Sequence, residues 1–341
     1  MKLGNSIPST YLTPYKYGFP VLTGSGQLDS FHQKSVDIPF VFWHNGQFYM
    51  MFVGYDGIGY QTGMAVSDDL LHWETKGVIL PRDHAGRWDS VGCAGTWIIK
   101  ESNSLKETPT LKKIEGRYWM VYHSYPDKGY EAGPAKIGLA WCEDESLMEW
   151  HKLPAPVFSW EDGEAWEQGG LYKACILSIK NKYYMFYNAK TQDERWIEQT
   201  GLAVSDDLFH WIRHDGNPIL KVTDGSWDSK FVSDPYIVED QGKYLNYYFG
   251  YDYEHAREGL AFSEDLIHWE KWKEPIIPNG AYGSIDAIHA HKASILWYNG
   301  ILYHFYTAVM EADETSATNM NGEFRCITVA ASVPWPKFSN R

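Results

Sequence analysis

GMAVSDDLLHWE (63–74), GLAWCEDESLMEWH (138–151), GLAVSDDLFHWI (201–212) and GLAFSEDLIHWE (259–270) are four copies of one phrase. A unit recurring every roughly 60 residues, rich in strand patterns and without a helical stretch, is the signature of a radial β-array. Upstream of the copies lie strand pairs with polar turns: IPFVFWHNGQFYMMFVGYD (38–56), PTLKKIEGRYWMVYHSY (109–125), CILSIKNKYYMFYNAK (175–190) and PYIVEDQGKYLNYYFGYD (235–252). A fifth, ASILWYNGILYHFYTAV (293–309), precedes the strand-like run CITVAAS (326–332). Asn-Gly, Glu-Gly and Gln-Gly at the turns supply the positive φ that tight hairpins need, and the third copy uses Asn181 there. The reading is an all-β, five-bladed β-propeller occupying 1–341 as a single domain. The SDDL segment is a turn, and its repeated carboxylates are turn formers.

Composition narrows the partners. Of the 341 residues, 16 are Trp and 24 are Tyr, which suits aromatic-rich strands and also sugar faces. A net charge of −14 without a Lys/Arg run argues against nucleic acid and anionic membranes. Cys93, Cys142, Cys175 and Cys326 are scattered, with no CxxC spacing for zinc, and Cys142 and Cys175 read as small core residues. A metal on the axis has no supporting ligand spacing, and no cofactor is implied. MKLGNSIPSTYLTPYKYGFP lacks the apolar stretch of a signal peptide, and no apolar run is long enough to span a bilayer. The expectation is a cytoplasmic location for the chain as written, or an exported one if a signal has been removed. The oligomeric state is not legible.

An acidic residue precedes every inner strand: Asp29, Asp89, Glu167, Asp228 and Asp286. Recurrence in every blade points to structure, with the carboxylates capping loop N–H groups. This weakens Glu167 as a general acid without removing it. The informative positions are those that break the repeat. Asp37, Tyr172 and His291 stand nine residues before Gly46, Asn181 and Gly300, and Asp234 stands eight before Gly242. The second blade is ambiguous around Glu107 and Thr108. These positions begin the innermost strands and are expected to face an axial funnel. Different polar groups at equivalent places mark a site grafted on a symmetric scaffold. Two carboxylates and a histidine around one cavity suit inverting glycoside cleavage, with a base for water and an acid for the leaving oxygen. Tyr172, His289, Lys292, Lys173 and Trp97 are the candidate substrate contacts.

The inner-strand repeats, the SVDIPF opening (35–40) and the SDP of blade four (233–235) resemble the five-bladed propeller glycosidases of glycoside hydrolase families 43, 32, 117 and 130. The family 43 pattern fails at Tyr172 and Asp234, and the WMNDPNG and EC signatures of family 32 are absent. The site pattern is most similar to family 117, which places a histidine about 57 residues after the blade-four Asp, the spacing from Asp234 to His291. That resemblance implies Asp37 as base, Asp234 as tuning carboxylate and His291 as acid, its pKa raised by Asp234 or Asp286. Glu167, and less so Glu107, stay open as the acid. Lys292 departs from the family, which has Glu after the His, and the family's N-terminal helical segment is not seen. The implied activity is an exo-acting, inverting hydrolase releasing a terminal sugar from an oligosaccharide. Alternatives are a family 130-type phosphorylase, with Lys173, Lys292, His289 and Arg195 as phosphate candidates, and a non-catalytic sugar-binding propeller.

Overall fold

The computed structural model describes residues 6–336. Residues 1–5, which open the stretch read for a signal, lie outside the described residues. Among the described residues the chain is all-β, with three short 3-10 turns as its helical content. None of its described helices is long and apolar enough to cross a membrane.

The strands run in antiparallel units. Strands β1 (Tyr15–Lys16) and β2 (Leu22–Thr23) come first. A four-stranded sheet follows: β3 (Ser35–His44), β4 (Gln47–Tyr55), β5 (Tyr60–Ser67) and β6 (Glu74–Leu80). The next comprises β7 (Ala94–Ile98), β8 (Lys113–Ile114), β9 (Arg117–Ser124), β10 (Lys136–Cys142) and β11 (His151–Lys152). Strands β12 (Leu171–Ile179), β13 (Lys182–Lys190), β14 (Glu198–Ser205) and β15 (Ile212–Arg213) form a third antiparallel run. Strands β16 (Phe231–Asp240), β17 (Lys243–Tyr251), β18 (Ala256–Ser263) and β19 (Glu270–Lys271) form another, joined to the third by the single parallel pair Glu198–Phe231. The last sheet holds β20 (His289–Tyr298), β21 (Ile301–Glu311) and β22 (Glu323–Ala331). The start of the chain completes it, because β1 and β2 both pair antiparallel with β22. The leading strands touch in a cycle: β3 packs on β7, β7 on β12, β12 on β16, β16 on β20, and β20 on β3.

The hairpin turns are as read. Asn45-Gly46, Glu115-Gly116, Gln241-Gly242 and Asn299-Gly300 take positive φ at both residues. In the third copy the pair is Lys180–Asn181. The SDDL segments are turns in which Ser67 and Asp69, Ser205 and Asp207, and Ser263 and Asp265 accept the backbone N–H groups that follow them. One expectation fails. The inner strand of the second unit is β7, well upstream of 109–114. The intervening excursion pairs with the end of β16 through Leu105 and Asn103, and Glu107 lies exposed on it.

Four of the five recurring acidic residues, Asp89, Glu167, Asp228 and Asp286, are buried, but they cap few loop N–H groups. Each instead joins a tyrosine hydroxyl to a cation from the outermost strand. Asp89 meets Tyr122 at 3.1 Å and Lys152 at 3.1 Å. Glu167 meets Tyr187 at 2.9 Å and Arg213 at 3.0 Å. Asp228 meets Tyr248 at 3.2 Å and Lys271 at 2.6 Å. Asp286 meets Tyr306 at 3.0 Å and Lys16 of β1 at 2.6 Å. Only Glu167 also accepts a loop N–H, from Glu164. In the first unit Asp29 is exposed, and Phe31 against Phe52, with centroids 5.6 Å apart, replaces the polar strut. The partner of the repeat's Trp is its Gly: a Cβ on Gly138 or Gly201 would lie 2.7 Å from the Trp88 or Trp166 ring.

Lys16 is the one strut cation drawn from the opposite end of the chain. Lys16→Met leaves the buried Asp286 carboxylate short of its counter-charge, and is expected to cost about 1.5–3 kcal/mol of unfolding free energy. Chemical denaturation checks this, and a variant as stable as the parent would show that β1 does not latch the last sheet electrostatically.

Candidate functional site

Every leading strand carries a β-bulge near its start: between Asp37 and Phe40, Gly95 and Trp97, Tyr172 and Cys175, Ser233 and Tyr236, and His291 and Ser294. A bulge re-aims side chains next to a site. Ile38, Lys173, Asp234 and Lys292 occupy the same bulge position, all with positive φ. Asp234 is therefore the equivalent of Lys173 and Lys292, not of Asp37; its one-residue-shorter spacing was the signal. These bulges surround a cavity of about 260 Å³.

Tyr172, Lys173, Asp234, His289, His291 and Lys292 line this cavity. Asp37 does not; it lies beneath, fully buried. Its carboxylate accepts from Lys292 Nζ (2.7 Å), the Tyr130 hydroxyl (2.7 Å), Thr307 Oγ1 (2.8 Å) and the Tyr60 hydroxyl (3.2 Å). Burial alone would raise its pKa, but Lys292, Arg325 and His291 hold it far below the usual carboxylate range. A base must touch the water it activates, and this carboxylate is already saturated with donors. Asp37, the expected base, stands in this structure as a buried counter-ion of Lys292.

His291 also departs from expectation. Its Nδ1 donates to the Thr307 carbonyl at 3.1 Å, which leaves Nε2 as an acceptor in the neutral ring. Burial first, then the neighbouring Lys292 and Arg325, push its pKa well down despite Asp37. Neutral imidazole has no proton to give from Nε2, so the ring does not suit the acid role. Asp286, expected to tune it, belongs to the strut with Lys16. Glu167 is a strut too and does not reach the cavity. Trp97 is 1 % exposed, enclosed by Phe40 and Tyr236, and is a core residue rather than a substrate contact. Arg195 is exposed and pairs with Asp193 away from the cavity.

Two carboxyls that the repeat did not single out face the cavity: Glu131, from the loop joining β9 to β10, and Glu198, at the start of β14. Glu131 Oε1 accepts from Lys292 Nζ (2.9 Å) and shares with Asp37 the single proton of the Tyr60 hydroxyl, 3.1 Å away. Burial opposes its charge, but Lys292 prevails and its pKa lies below the ordinary value. Glu198 accepts from Ser233 Oγ (2.8 Å) and Trp196 Nε1 (3.2 Å). Burial pushes it up to about 7, with Glu131 and Asp234 adding to the rise and Lys190 opposing it. A detectable signal lay in loop length. The joins 125–135, 191–197 and 312–322 are longer than 56–59 and 252–255, and the first two deliver Glu131 and Trp196 to the cavity.

Deeper in, Asp234 and Asn188 bond reciprocally at 2.6 and 2.7 Å. Lys173 Nζ stands 3.8 Å from Asp234 Oδ2. Lys173 Nζ, Asp234 Oδ2 and His123 Nε2 are buried without a hydrogen-bond partner. Each such group costs about 1–3 kcal/mol unless a ligand satisfies it. One donor, one acceptor and an imidazole nitrogen together match the hydroxyls of a sugar ring. Among the described residues no three His, Cys, Asp or Glu side chains are grouped to hold a metal ion.

Comparison with known proteins bears on this geometry. The profile described as the glycosyl hydrolases family 32 N-terminal domain matches residues 98–275, about half of the chain. A solved structure described as a glycoside hydrolase superposes with a TM-score of 0.79 at 28% identity, covering 97% of this chain and 94% of that one. A family 117 glycoside hydrolase, Zg3597 from the marine bacterium Zobellia galactanivorans, shares the fold at 13% identity and a TM-score of 0.62, covering 91% of this chain and 88% of its own. A curated relative, the beta-1,2-mannobiose phosphorylase of Thermoanaerobacter sp. (strain X514), is 26% identical over 131 residues, 34% of this chain. The chain spans 42% of that relative's length.

The shifted Glu198 has a consequence for stability. Folded, it keeps its proton up to about 7; unfolded, it loses it near the ordinary ~4.3. Its contribution is complete below the unfolded value and is lost as pH rises through the folded one. Glu198→Gln cannot ionise, so its melting temperature relative to the parent should rise between about pH 4 and about pH 8. A difference in melting temperature that stays constant over that window would contradict the shift.

Proposed function

Because this protein belongs to the glycosyl hydrolases family 32 N-terminal domain family, we propose that it is an exo-acting glycoside hydrolase built as a single five-bladed propeller. It removes a terminal sugar from an oligosaccharide, with Glu198 as general acid and Glu131 as its ionised partner. The observation that carries this reading is the split between two carboxyls in one cavity. Glu198 is pushed up to about 7, and Glu131 is held below its ordinary value by Lys292. Paired carboxyls driven apart by their surroundings supply the proton donor and the anion that glycosidic cleavage needs. Glu198 protonates the departing oxygen. Glu131, with Oε1 engaged by two donors, activates water, so the reading expects inversion at the anomeric carbon. Asp37 acts as a positioning residue through Lys292. His123, Lys173 and Asp234 hold the hydroxyls of the terminal ring, whose size suits a cavity of about 260 Å³.

A phosphorylase is the second reading. It is favoured by the mannobiose phosphorylase relative and by Lys173 Nζ, a buried cation without a hydrogen-bond partner. Lys292 serves it less well, being committed to Asp37 and Glu131.

Glu198→Gln is expected to lower kcat/KM by about 10²–10⁴-fold on a substrate with a poor leaving group, and much less on an aryl glycoside. His291→Gln and Glu167→Gln should show no such leaving-group dependence. Turnover should proceed without inorganic phosphate, and NMR of the first-formed sugar should show the inverted anomer. Strict dependence on phosphate would establish the second reading instead. Leaving-group dependence in His291→Gln but not in Glu198→Gln would restore the histidine acid.

A further inference from the structure

Trp196 stands at the rim of the cavity, 42% exposed, in the loop joining β13 to β14. Two lysines reach its ring: Lys190 Nζ is 4.5 Å from the ring centroid and Lys230 Nζ 5.5 Å. Lys230 is also ringed by Phe231 (5.4 Å), Tyr251 (5.8 Å) and Tyr253 (4.6 Å). Neither ammonium has a carboxylate partner among the described residues, although the chain carries 44 acidic side chains against 30 basic ones. The other cavity cations differ: Lys292 is paired with Asp37 and Glu131, and Arg325 with Glu323. Aromatic faces stabilise an ammonium by roughly 0.5–1 kcal/mol at exposed sites, and leave its charge available to an anion.

We propose that Trp196, Lys190 and Lys230 form a subsite for a carboxylate-bearing sugar, a uronic acid residue of the substrate, on the leaving-group side of the scissile bond. The placement rests on the hydrolase reading above, because Trp196 Nε1 donates to Glu198, the group assigned to protonate the leaving oxygen. The C–H face of the uronate ring stacks on the exposed indole, and its carboxylate takes the two ammonium groups as counter-ions. Burial also depresses the Lys190 pKa, opposed by Glu198 and Glu131.

The test uses the full chain carrying Glu131→Gln to silence turnover. It is incubated with an oligosaccharide pool from partial hydrolysis of a uronate-rich polysaccharide, and with the same pool after chemical reduction of its carboxyl groups. Retained components are identified by mass spectrometry. Uronate-bearing oligosaccharides should be retained in preference to their reduced forms. Lys190→Met and Lys230→Met should each weaken that retention by about fivefold, and the Lys→Arg variants should restore it. Equal retention of both pools, or Met variants that shift both pools alike, would overturn the subsite. Sugar release by the parent enzyme is scored separately. Release with indifferent retention leaves the hydrolase standing and removes the subsite. Selective retention without release does the reverse.

Discussion

The architecture depends on a buried carboxylate clamped between a tyrosine hydroxyl and a cation. Asp89, Glu167, Asp228 and Asp286 are each nearly inaccessible to water, and each would be costly there without its partners. The tyrosine comes from the second strand of a unit and the cation from the outermost strand. One carboxylate therefore fixes the width of a whole sheet at its loop end. The cation for Asp286 is Lys16, from the other end of the chain. Forming that strut demands that β1 be seated on β22. The first unit does without a polar strut and uses Phe31 on Phe52 and the neighbouring glycines instead.

A symmetric frame offers equivalent positions, and the site arises where they are filled unequally. The bulge position holds Ile38, Lys173, Asp234 and Lys292 in four of the leading strands. Lys292 joins the layers. Its ammonium bonds Asp37 below and Glu131 above. That arrangement keeps Glu131 ionised while Glu198, which has no such cation bonded to it, is free to hold its proton. Two carboxyls of the same kind, in one cavity, are driven in opposite directions by what surrounds them.

The frame was legible in the sequence because repeats report the same contact several times. GLA, SDDL and HW recur for reasons visible in the structure: a Trp ring over the glycine, a Ser-Asp turn, and an indole N–H on the turn carbonyl. Of the inner-strand residues expected at the funnel, Tyr172, Asp234, His289, His291 and Lys292 line the cavity and Asp37 does not. The proposed base and acid, Glu131 and Glu198, differ from the expected Asp37 and His291 for two physical reasons. Asp37 was judged by its offset from a turn, which says nothing of the donors that would saturate it. Glu131 and Glu198 come from a loop and from the start of a third strand, outside the register the repeat defines. Glu167, weakened but left open as the acid by its recurrence, is bonded to a tyrosine, an arginine and a loop N–H and is not among the residues lining the cavity.

The measurement that bears most directly on the account is a carbon-detected NMR titration of the glutamate side-chain carboxyls, with Glu198 assigned by comparison with Glu198→Gln and Glu131 with Glu131→Gln. The account predicts that the Glu198 signal titrates near 7 and that the Glu131 signal titrates below the ordinary glutamate range. Two signals titrating together in the ordinary range would contradict it.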